Sequence, residues 1–441
     1  MAKQYFSDPA ELEPIERASQ DELRALQLTR LRWSLGHAYR NCAAYRRKCE
    51  QAGIRPEDLR SLRDLNRFPL TTQEDLRASY PFGMFAVPRE RVVRIQESSG
   101  TTGMPIVVGY TAHDVQTWTH LTARSIRAAG GRAGDVVHIA HEYGLSAFAA
   151  GAQQGAEHLG CMVVPVSVGA LAKHVQLISD FEPDIILTTP SYLLALAEEL
   201  VRQGQDPAVT SLRIGILGAE PLSEGLRALI EARSGLDALD IYGLAEVMGI
   251  GVASECLESR GGAVIWEDHF YPEIIDPDTG AALPEEADGE LVLTTLTREA
   301  LPLIRYRTRD LTRLLPPSGR SMRRIARIAG RVDDRVVIGS ASLLPGELEE
   351  LIVQQDGLEP FYQIELTGEG GAEQLTVQTE ASIRIAGDGA ARERVASELA
   401  HAIQAATGVA AQVRVGDPGT LERSQVRARR VIDRRLPPPC E

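Results

Sequence analysis

Ser98-Ser99-Gly100-Thr101-Thr102-Gly103 sets four hydroxyl side chains and two glycines in six residues. Glycine lets the main chain approach a ligand, and neighbouring hydroxyls and amides donate to phosphate oxygens, so the run has the chemistry of a triphosphate cradle. The same composition suits a flexible linker. Position separates the two readings. Arg91-Val92-Val93-Arg94-Ile95 before the run and Ile106-Val107-Val108-Gly109-Tyr110 after it are strand-like, which makes it the loop of a hairpin. No Gly-Lys-Ser/Thr follows, so it is not a Walker A loop. Soft-ligand metal chemistry has no comparable support. Cys42, Cys49, Cys161, Cys256 and Cys440 lack Cys-x-x-Cys spacing, and the nine histidines form no His-x-x-x-His pair. His269, in Trp266-Glu267-Asp268-His269-Phe270, reads as a structural histidine.

A loop of this kind needs a scaffold. Apolar runs at 136–140, 161–166, 184–189, 213–218 and 238–242 recur at roughly the spacing of strand-helix-strand units, with helical stretches such as 191–202 between them. A buried parallel sheet flanked by helices follows. Ligands collect at the carboxyl ends of such strands. Two runs end there in notable loops, Gly218-Ala219-Glu220-Pro221 and Tyr242-Gly243-Leu244-Ala245-Glu246. Upstream, Ser19 and Glu22 form a capping box before a helix carrying Leu28, Leu31 and Leu35. Downstream, 271–275 and 290–295 flank turn signals at 276–280 and 288–289, a small antiparallel sheet. A boundary falls near Asp333, giving domains 1–332 and 333–441. The second has Pro345 as a first helical residue, strands at 362–367, 374–378 and 411–415, a helix at 391–407 and a basic, proline-ended tail.

The chain has 441 residues, is 44% hydrophobic and carries a net charge of -14, which suits a globular protein and argues against non-specific binding of nucleic acid or anionic membrane. Neither an apolar leader nor a membrane-length apolar stretch is visible, so a cytoplasmic protein is expected.

Together these segments resemble an acyl-adenylate-forming enzyme and, within that superfamily, the phenylacetate-CoA ligases. The likeness runs nearly end to end. It begins with His37-Ala38-Tyr39-Arg40-Asn41 and Tyr45, and sharpens through Tyr80-Pro81-Phe82-Gly83, the Ser/Thr/Gly loop, Gly218 to Pro221, Asp240-Ile241-Tyr242-Gly243-Leu244, Glu267-Asp268-His269-Phe270-Tyr271-Pro272 and Arg305-Tyr306-Arg307-Thr308-Arg309-Asp310. The resemblance implies an α/β fold: a large N-terminal adenylate-forming domain with a mainly parallel sheet and a small antiparallel subdomain, then a small mobile α+β C-terminal domain. It implies ATP, Mg²⁺ and CoA as cofactors. A small aromatic carboxylic acid attacks the α-phosphate of ATP to give an aryl-AMP and pyrophosphate, and CoA thiol displaces AMP.

By motif position, Ser98, Ser99, Gly100, Thr101, Thr102 and Gly103 would hold phosphates, with Thr101 in the catalytic set. Gly218, Ala219, Glu220, Pro221, Asp240, Tyr242 and Gly243 would line the nucleotide, Tyr242 stacking on adenine. Glu246 would bind Mg²⁺, and Asp310, with Arg331 nearby, would accept from the ribose hydroxyls. A carboxylate suits a hard cation, and an acidic acceptor suits a vicinal diol. Tyr143, Gly144, Gly218 and Ala245 would wall the acyl pocket, Tyr143 stacking on the ring and His141 or Glu142 meeting a polar ring substituent. Asp333 matches the hinge. Each residue also has a structural reading: Tyr242 as a core aromatic, Asp310 paired with Arg307 or Arg309, Glu246 as a helix cap, His141 and Glu142 in a solvated loop.

Four positions depart from the family's pattern. Met104 stands where a lysine normally ends the phosphate loop. Ala245 replaces the hydroxyl residue before the metal-binding glutamate. Arg427, in Arg423-Ser424-Gln425-Val426-Arg427, occupies the place of the adenylation lysine, keeping the charge but not the shape. Gly339-Ser340-Ala341-Ser342 replaces Arg-Gly-Val-Asn, so Ser340 adds a side chain where the pantetheine thiol must approach, while Gly339 offers the same freedom one register earlier. The last change sets against the CoA ligase a second reading, adenylation with transfer to a hydroxyl, amine or other small acceptor, and the lost cations set a third, a non-catalytic nucleotide- or acyl-binding relative. Oligomeric state is open, a homodimer included.

Overall fold

Ile185–Thr188 and Ile214–Gly218 are buried at every residue, which requires strands covered on both faces. In the computed structural model, which describes residues 12–98, 105–339, 341–368, 373–423 and 430–435, they lie inside a nine-stranded sheet. Met162–Pro165, Val136–Ile139, Ile185–Thr188, Ile214–Gly218 and Asp237–Leu244 run parallel in that spatial order. Helices Ala147–Leu159, Leu171–Phe181, Pro190–Arg202 and Glu224–Ser234 make the crossovers. Their ends are written in the chain. Thr189 and Ser223 cap the last two, Pro190 occupies a first turn, and Gly160 and Gly235 close helices in the left-handed conformation.

All five expected strands are present within a residue or two. The far flank differs from the mainly parallel expectation: Gly249–Cys256, Ser259–Ile265, Arg324–Ile325 and Leu314–Leu315 extend the same sheet antiparallel. Gly249–Cys256 is buried at all eight residues, so it lacks the alternation that marks a half-exposed strand. The small antiparallel sheet is formed by Phe270–Ile275, Gly289–Thr295, Tyr306–Thr312 and Gly330–Arg331, and it sets Asp310 opposite Arg331. Gln20–Asn41 opens on the expected Ser19/Glu22 capping box.

The C-terminal unit stacks helices Pro345–Val353 and Gly389–Thr407 on a sheet ordered Ala411–Gly416, Gln374–Ala381, Leu358–Thr367, Val431–Asp433. It docks on the larger lobe through apolar and ionic contacts. Phe361 joins the cluster of Leu193, Leu222 and Leu236. Arg423 forks between Glu198 of the large lobe (3.1 Å) and Glu380 of the small one (2.8 Å), its guanidinium 3.5 Å from the centre of the Phe361 ring. Arg233 meets Glu359 at 2.7 Å. Among the described residues there is no cluster of three metal-ligating side chains, and no helix is long and apolar enough to cross a membrane.

Candidate active site

Val92–Ser98 pairs antiparallel with Ile106–Thr111, Ser98 opposite Ile106, so the hydroxyl-glycine run does connect a hairpin. Ser99, Gly100, Thr101, Thr102, Gly103 and Met104 lie outside the described residues, as do Ser340 and Arg427. Beside the hairpin, a fully buried arginine organises the Glu246 turn. Arg298 donates to the carbonyls of Glu246 (3.0 Å), Val247 and Gly109 (3.1 Å), and lies 4.4 Å from the centre of the Tyr110 ring. Tyr110 Oη donates to the carbonyls of Ala245 (3.4 Å) and Met248 (3.3 Å). Five main-chain carbonyls thus tie the turn to the hairpin strand.

Glu246 is 4% exposed and caps no helix. The Tyr306 phenol stands beside its carboxylate; burial first, then that charge, hold Tyr306 well above the ordinary phenol range. Among the described residues the Glu246 carboxylate forms no ion pair. A buried carboxylate without a cation is costly, and a hard, oxygen-bound cation is the partner its chemistry fits.

Tyr242 Oη donates to Asp310 Oδ2 at 2.6 Å, and Arg331 approaches Asp310 Oδ1 at 3.4 Å. Burial and then the Asp310 carboxylate raise the Tyr242 phenol far above its usual range. Arg307 and Arg309 both bind Glu290, and Arg309 also reaches Asp333. The core reading of Tyr242 is realised in part, since the ring is nine-tenths buried in the main apolar cluster.

Asp240 lies two residues earlier on the same strand face. It lines a cavity of about 420 Å³ with Arg227, Glu255, Arg327 and Ile328. Arg227 forks onto Glu255 at 2.7 and 2.8 Å, which leaves the Asp240 carboxyl beside a second acid; burial first and Glu255 next push it up to about 8. A carboxyl raised in the folded state and ordinary in the unfolded one loses stability as pH climbs from about 4 to about 8. Asp240→Asn should therefore unfold at higher temperature than the parent at pH 9, by on the order of 2 kcal/mol, and match it near pH 4. Thermal unfolding at both pH values checks this, and an equal difference at both would refute it.

Gly218 has no room for a side chain: a Cβ there would lie 2.7 Å from the Ile241 carbonyl oxygen and 2.9 Å from Phe148 Cε2. Ala219 follows with φ +65°, strained for a residue with a Cβ. Glu220 accepts from Ser191 N (3.1 Å) and Oγ (2.9 Å), and faces the small lobe, where the charge of Arg430 is among its neighbours. Arg430 in turn meets Glu349 at 3.6 Å and sits 4.5 Å over Tyr362. Ala245 is half-buried, and Gly243 has no space for a Cβ against the Gly249 carbonyl.

The acyl-wall residues divide. Tyr143 packs with Leu159 and Val163 on the apolar cluster of Phe148, and burial with Glu157 raises its phenol to about 12. Gly144, at φ +104°, gives the loop its turn. His141 is buried, not solvated. His269 is held by Thr297 Oγ1 (2.8 Å) and Asp268 (3.3 Å). The organising pair Arg298 and Tyr110 escaped the sequence reading. One signal was available: Arg298 is a lone cation within the largely apolar 291–304 stretch.

The nine-stranded sheet of the large lobe with its small C-terminal unit has the fold of an adenylate-forming enzyme. The family described as "AMP-binding enzyme" matches residues 54–296, and "AMP-binding enzyme C-terminal domain" matches 340–435. Phenylacetate-coenzyme A ligase of Aromatoleum evansii is 57% identical, over 97% of this chain and 98% of that one; the Pseudomonas putida enzyme is 53% identical, over 98% and 99%. The chain belongs to the phenylacetate-CoA ligase family. It is an acid–thiol ligase that uses ATP and CoA, which overrides the doubt raised by Ser340 and the non-CoA and non-catalytic alternatives.

A solved 2-hydroxyisobutyryl-CoA ligase is 29–30% identical. Its postadenylation state superposes with TM-score 0.91, over 98% of this chain and 94% of that one. Its thioesterification state reaches only 0.71, over 95% and 91%. The two lobes here therefore superpose more closely on that protein's postadenylation state than on its thioesterification state.

Proposed function

We propose that the acid activated is phenylacetic acid or a close aryl analogue, and that the nucleotide lies across Tyr242, Asp310 and the Ser98 hairpin. The observation that carries this is the Tyr242–Asp310–Arg331 contact beside that hairpin, in a chain matched along nearly its whole length by phenylacetate-coenzyme A ligases. Asp310 accepts from the ribose diol, with Tyr242 and Arg331 fixing its two oxygens. The Tyr242 ring, Asp240 and the tight Gly218–Pro221 turn bound the base. Ser98, Ser99, Gly100, Thr101, Thr102 and Gly103 take the phosphates.

Glu246 is the residue fitted to Mg²⁺, which when bound supplies positive charge against phosphate oxygens. With Met104 and Ala245 in place of a cation and a hydroxyl, the hairpin amides and Arg427 carry more of the charge stabilisation. The acid's carboxylate attacks the α-phosphate, the P–O bond to pyrophosphate breaks, and the CoA thiol then displaces AMP and gives up its proton. Domain 333–441 pivots at Asp333 between these steps, which requires the Arg423–Glu198 pair to open. A cytoplasmic setting, where ATP and CoA are at hand, accords with this chemistry.

Glu246→Gln keeps the shape and deletes the charge. It should cut acid-dependent pyrophosphate release about a hundredfold and move half-maximal magnesium upward; an unchanged magnesium titration places the ion elsewhere. The reading as a whole is tested by pyrophosphate release across phenylacetic, benzoic, hydroxybenzoic and anthranilic acids, with and without CoA, followed by mass analysis. Phenylacetyl-CoA is expected. No release with any aryl acid overturns it.

A further inference from the structure

The loop from Ala140 to Ser146 leaves the carboxyl end of Val136–Ile139 and is tied to the strand that feeds the phosphate hairpin. Glu97 N donates to the Leu145 carbonyl at 3.1 Å, and Gln96 Nε2 to the Ser146 carbonyl at 3.2 Å. This loop therefore lies between the hairpin and the sheet edge. On it, His141 is 3% exposed and stacks on Phe148, ring centres 4.0 Å apart and planes at 10°. Phe148 in turn reaches the Gly218 backbone, which bounds the proposed nucleotide and acyl site.

Neither ring nitrogen of His141 makes a hydrogen bond of good geometry among the described residues, a weak contact with the Glu142 backbone apart, and Gln96 Oε1, on the strand side of the same loop, likewise lacks one. Buried polar atoms are nearly always satisfied, so an imidazole this poorly paired beside the proposed ligand site calls for a partner that the ligand supplies. Burial holds the ring neutral, pushing it down to about 4 against a weaker pull from the Glu142 carbonyl. A neutral imidazole offers one N–H and one lone pair. A phenolic hydroxyl both donates and accepts, and an aryl amine donates; an unsubstituted ring does neither.

We infer that His141 selects aryl acids bearing a hydroxyl or amino group on the ring, pairing with that substituent through its imidazole while Phe148 holds the imidazole plane. The inference rests on the proposed aryl-acid ligase activity and narrows its substrate class. A site built around a buried polar group rejects the analogue that leaves it unpaired, here by about ten- to a hundredfold.

The test compares kcat/KM for thioester formation from phenylacetic acid with that from its hydroxy and amino ring derivatives, in the parent, His141→Phe and His141→Gln. The parent should favour at least one substituted acid by about tenfold or more. His141→Phe, which keeps the stacked ring and removes both nitrogens, should bring that ratio near one by losing the substituted acid and not phenylacetic acid. His141→Gln, with a donor and an acceptor, should retain part of the preference; it also serves alone should the Phe variant fail to fold, since loss of the preference in a folded Gln variant counts against imidazole-type pairing. The hydroxy and amino arms show which substituent is read. Equal turnover of all acids, unchanged by His141→Phe, overturns this inference and leaves the ligase reading intact. No turnover of any acid overturns both.

Discussion

Arg427→Ala should lower acid-dependent pyrophosphate release by about 10²- to 10³-fold, the effect of removing one preorganised positive group from a developing phosphorane charge. The described residues on either side are held at the lobe interface. Arg423 is fixed by Glu198 and Glu380, and Arg430 by Glu349 and Tyr362. Both face the large lobe, and Arg430 lies within the charge field of Glu220 on the Gly218–Pro221 turn. Arg427 itself lies outside the described residues, and its role as the cation of the first half-reaction is the proposal this substitution tests. The loss should be confined to that step: aryl-AMP supplied ready-made should be thiolated by CoA at near the parent rate. Arg427→Lys, which restores the usual residue type at this place, should retain most of the activity. If neither substitution changes turnover, Arg427 belongs to a solvated basic run and the cation is another group.

The parts of this site that were legible from sequence are those with local rules. The hairpin of Val92–Ser98 with Ile106–Thr111 followed from alternating strand-like residues around a glycine-rich turn, and the parallel strands from short apolar runs joined by capped helices. What stayed hidden depends on long-range contact. Gly249–Cys256 is buried on both faces, so its sequence carries no period to read. Arg298 gains its role only when the chain brings Gly109, Glu246 and Val247 to one guanidinium. Sequence gives no side-chain direction within a loop, so the packing of Tyr143 against the apolar cluster of Phe148 was not legible. His141, in the same loop, is open from sequence between a substrate contact and a solvated position, and is buried against Phe148.

Asp333→Pro should leave pyrophosphate release within a few-fold of the parent and reduce thioester formation on the order of 10²-fold, about 3 kcal/mol on the second barrier. Asp333 lies in the short turn Val332–Asp334, its carboxylate 3.1 Å from Arg309, in lobes that superpose more closely on a neighbour's postadenylation state than on its thioesterification state. A swing to the second-step arrangement needs a large dihedral change in a few residues. Proline fixes φ near −65° and deletes an N–H, so it removes that freedom while the docked lobe can still complete adenylation. Asp333→Asn serves as the control, since it loses the Arg309 ion pair and keeps the backbone free; it should thiolate normally. Glu198→Gln, which loosens the interlobe contact of Arg423, should shift the balance the other way, slowing adenylation more than thiolation. The assay is pyrophosphate release and thioester formation measured in parallel on one preparation of each variant. Equal loss of both steps in Asp333→Pro would mean that residue 333 supports the fold of the interface and that the pivot lies elsewhere in the connection between the lobes.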